Sequence, residues 1–534
     1  MHSGRTVSVA GMGMVAAPHH LASAAGLRVL QEGGNAVDAA VATSATLHVT
    51  VPQQCSPGGD SFWLIYVAAK DRLYALNASG RAPQGLSIAL FQELGLDHVP
   101  LHGGLPVTVP GSIDGWCTAL ARFGSQPLGM LLQPAIDYAE QGVEVGSALA
   151  DAVRENAESL RHLEGWRRVY LPGGAVPEVG SRLRQADLGA TLRAVAGGGR
   201  EALYRGRVAG RIARSVQREG GVLTTDDLAA HRSDWVSPLS VTYRGHTVYQ
   251  MPPNSRGAIA LMALNLLETW DLGALDYDSP QAVHLMVQAY RLARGAFNRA
   301  AGDPQFVPVP VEQMLSGEAA AELREQMHDQ KVAPLREPAR EVTADTVYVA
   351  VVDGDGNAVS LIDSTYYTFG SGVVAEGTGL ILQNRGAYFS LDSEHPNCLE
   401  PGKRPIHTLM PAMVFKDGRP WLVFGSMGGD GQAQTQLQIL HRIVDLGMDV
   451  QQAIEAPRWV LGGTLVGENT DSLRLESRFP GETRKALVDL GHEVVSLGPW
   501  SDRVGVAQAI LIDRDREMVQ GGADPRGEGL ALGW

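Results

Sequence analysis

Threonine 346 opens an alternating strand, Thr346-Val-Tyr-Val-Ala-Val-Val-Asp353, directly after a polar, proline-containing stretch from Lys331 to Asp345. A threonine hydroxyl in mid-chain is a poor nucleophile. At a free N-terminus it carries its own base, because an α-amine titrates near pH ~8 and lies within reach of its own Oγ. A cut between Asp345 and Thr346 would therefore create a self-contained catalytic group. β-branched residues also begin strands for packing reasons alone. These few residues thus leave both readings open.

A second candidate is a turn. The run Trp421-Leu-Val-Phe-Gly-Ser-Met-Gly428-Gly429-Asp430 reads as a strand entering a double-glycine turn, followed by a helix from Gln432 to Val444. Backbone N–H groups at such a turn can face a developing oxyanion, and a helix N-terminus adds positive potential. A plain strand–helix turn has the same sequence. Other catalytic signatures are missing: there is no G-x-S-x-G elbow, Walker loop, H-E-x-x-H or Cys/His zinc spacing. The run Asp353-x-Asp355-x-Asn357 lacks the glycine and closing glutamate of a calcium loop, since Ala358 and Ser364 stand in those places. No metal and no organic cofactor is expected.

The elements that would position these groups follow from periodicity. Helices are predicted over His20–Glu32, stopped by Gly33-Gly34-Asn35, and over the small-residue run Ala36–Val49. His19-His20 reads as a cap or core pair. Pro57-Gly58-Gly59-Asp60 is a turn before a strand at Ser61–Tyr66. Residues 125–235 read as mostly helical, with a capping signal at Thr225-Asp-Asp-Leu228. A strand at Tyr243–Gln250, helices near Gly257–Trp270 and Ser279–Ala301, and a charged helix around 318–330 come next. The segment 346–390 is expected to form two or more hairpins, the first turning through Gly354-Asp355-Gly356-Asn357. Helices dominate before Thr346 and strands after it.

With 534 residues, 44% hydrophobic and 19% charged, the chain can bury a large core in one layered unit or two to three domains. Its net charge of −14 argues against a nucleic-acid partner, and gives no attraction to an anionic membrane. No run approaches the ~18–20 apolar residues of a bilayer span. Cys55, Cys117 and Cys398 are far apart and form no disulfide framework; they read as packing residues. The N-terminal residues lack an export pattern. A soluble, cytoplasmic protein is expected.

Read in order, GGNAVDAA (33–40), PGGDSF (57–62), VPGSIDG (109–115), EGGVLTTDDLAAH (219–231), YRGHTVYQMPPNSRG (243–257), TVYVAVVDGDGNAV (346–359), TFGSGVVAEGTGLILQN (368–384), KRPIHTLMPAMV (403–414), GSMGGDG (425–431) and ADPR (523–526) resemble the γ-glutamyltransferase family almost end to end. These are N-terminal-nucleophile hydrolases that cleave themselves into a large and a small chain. The resemblance implies a four-layer αββα sandwich of mixed α and β structure, an α/β (α+β) fold. It also implies a cut between Asp345 and Thr346, giving chains 1–345 and 346–534 that form one catalytic unit. Thr346 matches the nucleophile, Ser364 its hydroxyl partner, and Gly428 and Gly429 the oxyanion pair. A homodimer of processed units is left open.

The departures bear on substrate. Where γ-glutamyl enzymes hold an α-ammonium with an asparagine and an acid, this chain has Tyr366 and Tyr388. Arg385 replaces a glutamine, and His407-Thr408 replace the serine pair that binds the α-carboxylate. Arg81 lies near, but not on, the position of the N-terminal carboxylate-binding arginine. A site without its acid loses its hold on an ammonium, whereas an arginine fork suits a carboxylate. The expected substrate is a small amide bearing a carboxylate and no α-amine, such as oxamate; the NRG variant (384–386) resembles the family branch that includes oxamate amidohydrolases. Glutathione hydrolysis or transpeptidation, a cephalosporin- or glutaryl-type acylase, and an unprocessed binding or scaffold relative are the alternatives.

Overall fold

Every residue of the strand after Thr346 is apolar as far as Val352, a pattern that needs both faces of the sheet covered. In the computed structural model, which describes residues 4–328, 345–462 and 471–534, both are. The strand Asp345–Val352 lies inside a seven-stranded sheet, between Met14–Ala17 and Ala358–Tyr366. Asp60–Val67, Arg72–Ala78 and Asp234–Val236 extend that sheet on one side and Leu530–Gly533 on the other. Side chains alternate between two cores. Val347, Val349 and Val351 pack with the helices Ala36–Thr50 and Leu128–Gln141. Tyr348, Ala350 and Val352 meet Met413, Val423 and Ile510 of a second seven-stranded sheet.

That second sheet runs in the order Ser8–Ala10, Met518–Ala523, Ala507–Asp513, Arg419–Ser426, Ala412–Lys416, His246–Gln250, Leu239–Tyr243. Its far face is covered by the helices Gly257–Leu267, Pro280–Asn298 and Gln432–Val444. The result is helix, sheet, sheet, helix: the four-layer αββα sandwich. Both sheets draw strands from before and after Thr346, so the two segments are interleaved in the same pair of sheets.

Gly425 faces the Tyr348 ring across the two sheets. A Cβ on Gly425 would stand 2.4 Å from that ring, so glycine is required there. The Tyr348 hydroxyl is hydrogen-bonded to Ser360 Oγ at 2.8 Å. The strand that carries the Gly428–Gly429 turn is thereby docked against the strand that begins at Thr346.

Several predicted boundaries shift. Tyr243–Gln250 is not one strand: Arg244 and Gly245 take φ of 49° and 76° and form a two-residue turn between Leu239–Tyr243 and His246–Gln250. The helical cap is Thr224, one residue early, in a capping box with Asp227. Only one hairpin, Asp345–Val352 with Ala358–Tyr366, forms within 346–390. Beyond Tyr366, positive φ at Phe369 and at Gly370, Gly372, Gly377 and Gly379 breaks the ladder, leaving an isolated bridge between Val374 and Ile381. The charged helix is Gly317–Arg324, and residues 329–344, including most of the polar stretch, lie outside the described residues. His19 caps its helix as expected, accepting from Leu21 N. Among the described residues, no helix is long and apolar enough to cross a membrane.

Candidate active site

Strand parity places the central hydroxyls. Ser360 and Ile362 face the inter-sheet core, and Ser364 continues that series. Thr346 lies opposite, where the register slips between Asp345 and Val347. The slip lets the Thr346 hydroxyl reach across, donating to Ser364 Oγ at 3.2 Å. Ser364 in turn donates to the carbonyl oxygen of Asp345 at 2.7 Å and accepts from Tyr366 N at 2.8 Å. One donor and two acceptors exhaust that hydroxyl. Thr346 is fully buried.

The Asp345 side chain accepts from Thr368 Oγ1 at 2.5 Å. Burial pushes its carboxyl up to about 6, with Asp502 and Glu155 adding to the rise against the Thr368 bond. On the opposite face of the neighbouring strand, Asp363 is buried and accepts from Ser44, Ser112 and His48. It ties the helix Ala36–Thr50 to the residue preceding Ser364.

A second group of side chains sits beside this pair. Tyr366 has φ of 83°, a strained value for a side-chain-bearing residue. Its ring lies 3.9 Å from the Arg385 guanidinium, and the Tyr388 ring is 5.6 Å from it. Arg385 is 1% exposed. Its Nη1 donates to Thr408 Oγ1 at 3.1 Å, while Nη2 has no hydrogen-bond partner among the described residues. Burial lowers Arg385 to about 10, opposed by Tyr366 and Asp60, so it remains a cation at neutral pH.

Beneath it, Asp60 accepts from Gly80 N at 2.9 Å and pairs with His407 Nε2 at 3.2 Å. Burial drives the Asp60 carboxyl up to about 7 against the pull of Arg385. Burial, then Arg385, holds His407 well below its ordinary range, so the imidazole is neutral. Its Nδ1 accepts from Leu409 N, leaving the proton on Nε2 toward Asp60.

The double-glycine turn is tied to this group through Asp430, which Tyr388 contacts. Gly428 has φ of 122° and Gly429 of 52°, which glycine alone adopts easily. No carbonyl of the described residues accepts from either N–H. Asp430, next in sequence, is paired with Arg256 and accepts from the Tyr388 hydroxyl at 3.2 Å.

The predicted site residues are therefore not all placed alike. Thr346, Ser364 and Asp345 meet directly, as do Arg385, Thr408 and Tyr366. Tyr388 is spent on Arg256 and Asp430, and His407 on Asp60. Arg81 is elsewhere: its guanidinium engages Asp234, Asp303 and the Gly402 carbonyl, so a role in gripping substrate is not supported. Sequence reasoning missed Asp60, Arg256 and Asp430. Each lay within a quoted motif (PGGDSF, NSRG, GGDG) whose glycines and hydroxyls drew the attention. Among the described residues, no group of three or more His, Cys, Asp or Glu is arranged to hold a metal.

The family model for gamma-glutamyltranspeptidase matches residues 22–534. The chain is 43% identical over 523 residues to a glutathione hydrolase-like YwrD proenzyme of Bacillus subtilis, covering 97% of this chain and 98% of that one. It is 40% identical over 541 residues to the oxamate amidohydrolase proenzyme of Klebsiella pneumoniae, covering 100% of both. The solved cephalosporin acylase from Bacillus halodurans superposes with a TM-score of 0.93 at 38% identity, covering 100% of this chain and 98% of the other. The chain is an amidohydrolase of N-terminal-nucleophile fold, and it belongs to the gamma-glutamyltranspeptidase family.

Proposed function

We propose that the protein is a precursor that cuts itself between Asp345 and Thr346 and then hydrolyses the amide of a small, carboxylate-bearing substrate of the oxamate type. In the uncut chain the Thr346 oxygen attacks the Asp345 carbonyl carbon, whose oxygen already accepts from Ser364. The C–N bond breaks as the C–O bond forms, and the hydroxyl proton ends on the departing nitrogen. Water then cleaves the ester, leaving a carboxylate on Asp345 and a free amine and hydroxyl on Thr346. The sequence yields chains of 345 and 189 residues (534 − 345). In turnover the same hydroxyl attacks the substrate amide, with the α-amine as base. Gly428 and Gly429 N–H stabilise the oxyanion, amine leaves, and water clears the acyl-enzyme.

The observation that carries the substrate class is the unpartnered Nη2 of the buried Arg385. A guanidinium out of water with an unused donor is costly unless an anion completes it. Thr408 accepts from the same arginine and keeps its own proton for a second carboxylate oxygen. The nearby acids are already engaged: Asp60 by Gly80 and His407, Asp430 by Arg256 and Tyr388. Neither is left to grip an α-ammonium. The oxamate amidohydrolase relative supports this reading.

The YwrD and cephalosporin acylase relatives define the competing substrates. Ammonia or amine release from oxamate, γ-glutamyl-p-nitroanilide and a glutaryl amide tests it. Oxamate-type amides should be turned over best. Preference for the γ-glutamyl compound would overturn the substrate class and leave the amidohydrolase assignment intact.

A further inference from the structure

Arg256 is the N-cap residue of the helix Gly257–Leu267 and is almost wholly buried. Its Nη1 donates both to the Tyr388 hydroxyl and to Asp430 Oδ1. Its Nη2 donates to Asn298 Oδ1 at 3.0 Å, and its backbone N donates to the His407 carbonyl at 3.0 Å. Tyr388 donates to the same Asp430 carboxylate, and Tyr290 fixes the Asp430 carbonyl at 3.1 Å. One guanidinium thus joins three segments distant in sequence: the helix start at 256, the turn Arg385–Tyr388, and the turn Gly429–Gly431. Both Nη groups of Arg256 are turned to Asp430, Tyr388 and Asn298.

Asp430 follows directly on the glycine pair, and its carboxylate also acts electrostatically on Arg385 and Tyr366. Left unpaired, it would stand next to a forming oxyanion and near the cation that holds a substrate carboxylate. Both effects oppose the chemistry. Burial works against a charged Arg256, yet Asp430, Tyr388 and Tyr290 outweigh it and keep the guanidinium protonated.

We propose that Arg256 is a positioning residue that clamps the Gly428–Gly429 turn to the Arg385–Tyr388 turn through Asp430 and Tyr388, and that it cancels a carboxylate which would otherwise repel both the oxyanion and an acidic substrate. The proposal deepens the functional reading above and rests on it. Its signature is charge compensation. Removing Arg256 should harm more than removing Arg256 and Asp430 together, because the double variant leaves no unpaired buried charge.

The test measures kcat and KM of Arg256→Gln, Asp430→Asn and the double variant, each after self-cleavage, with oxamate and with an uncharged amide of similar size. Arg256→Gln should lower kcat at least tenfold for both amides and raise KM only for oxamate. Adding Asp430→Asn should restore at least tenfold of that loss. Should Arg256→Gln fail to fold, Asp430→Asn and the double variant decide the matter: an active double variant supports the clamp, and an inactive one beside an active Asp430→Asn overturns it. Losses that simply add, or a drop in thermal midpoint with kcat unchanged, would also overturn it. Wild-type protein that releases no amine from any amide defeats the underlying function, and the clamp with it.

Discussion

The Ser364 hydroxyl donates to the Asp345 carbonyl at 2.7 Å, so the bond proposed for self-cleavage is polarised by a residue 19 positions further along the chain. That carbonyl belongs to the amide that Thr346 attacks in the proposed self-cleavage, and the Thr346 hydroxyl donates to the same Ser364 oxygen. The β-slip at Thr346 brings all three groups onto one face.

Ser364→Ala should therefore impair both reactions. Self-cleavage, followed as loss of full-length chain on denaturing gels, should slow on the order of 10²-fold, as when one donor to an oxyanion is removed. In protein that has completed cleavage, kcat should fall while KM changes little. An unchanged cleavage rate would separate Ser364 from the chemistry.

Arg385→Gln should raise KM for oxamate by roughly 10- to 150-fold, the equivalent of the 1.5–3 kcal/mol of a charged hydrogen bond. For an uncharged amide of similar size the change should be small. Equal effects on both substrates would mean that Arg385 holds the fold and not the carboxylate.

The precursor carries acids in unfavourable surroundings, and this fixes the sign of its pH dependence. Burial raises Asp60 to about 7 and Asp345 to about 6. An acid with a raised folded-state pKa binds more protons folded than unfolded between its two pKa values, so stability falls as pH rises through that window. In the uncleavable Thr346→Ala protein, the thermal midpoint should drop as pH rises from about 4 toward 7. Adding Asp345→Asn should flatten the part between about 4 and 6. Parallel midpoint curves for the two proteins would show that Asp345 is not held in the environment described.

The sequence revealed what is local. The strand after Thr346, the turn at Gly428–Gly429 and the helix that follows depend on near neighbours, and motif order was enough for the layered fold. Arg385 stood out because a cation replaced a neutral amide. The ion pairs behind the site did not, since Asp60 finds His407 347 residues away and Arg256 finds Asp430 174 residues away. Tyr388 illustrates the same limit. Its match to a family position that grips the α-ammonium suggested substrate contact, whereas its hydroxyl is committed to Arg256 and Asp430. The turn at Arg244-Gly245 was hidden because arginine seldom takes positive φ, and the segment 368–384 looked like a hairpin until its glycines broke the ladder.

Intact-mass and N-terminal analysis of the purified wild-type protein, beside Thr346→Ala, tests the central claim most directly. Wild type should resolve into chains of 345 and 189 residues, with Thr346 at the N-terminus of the shorter. Thr346→Ala should remain one inactive chain of 534 residues. A wild-type cut at another bond, or full amidohydrolase activity in the alanine variant, would contradict Thr346 as nucleophile.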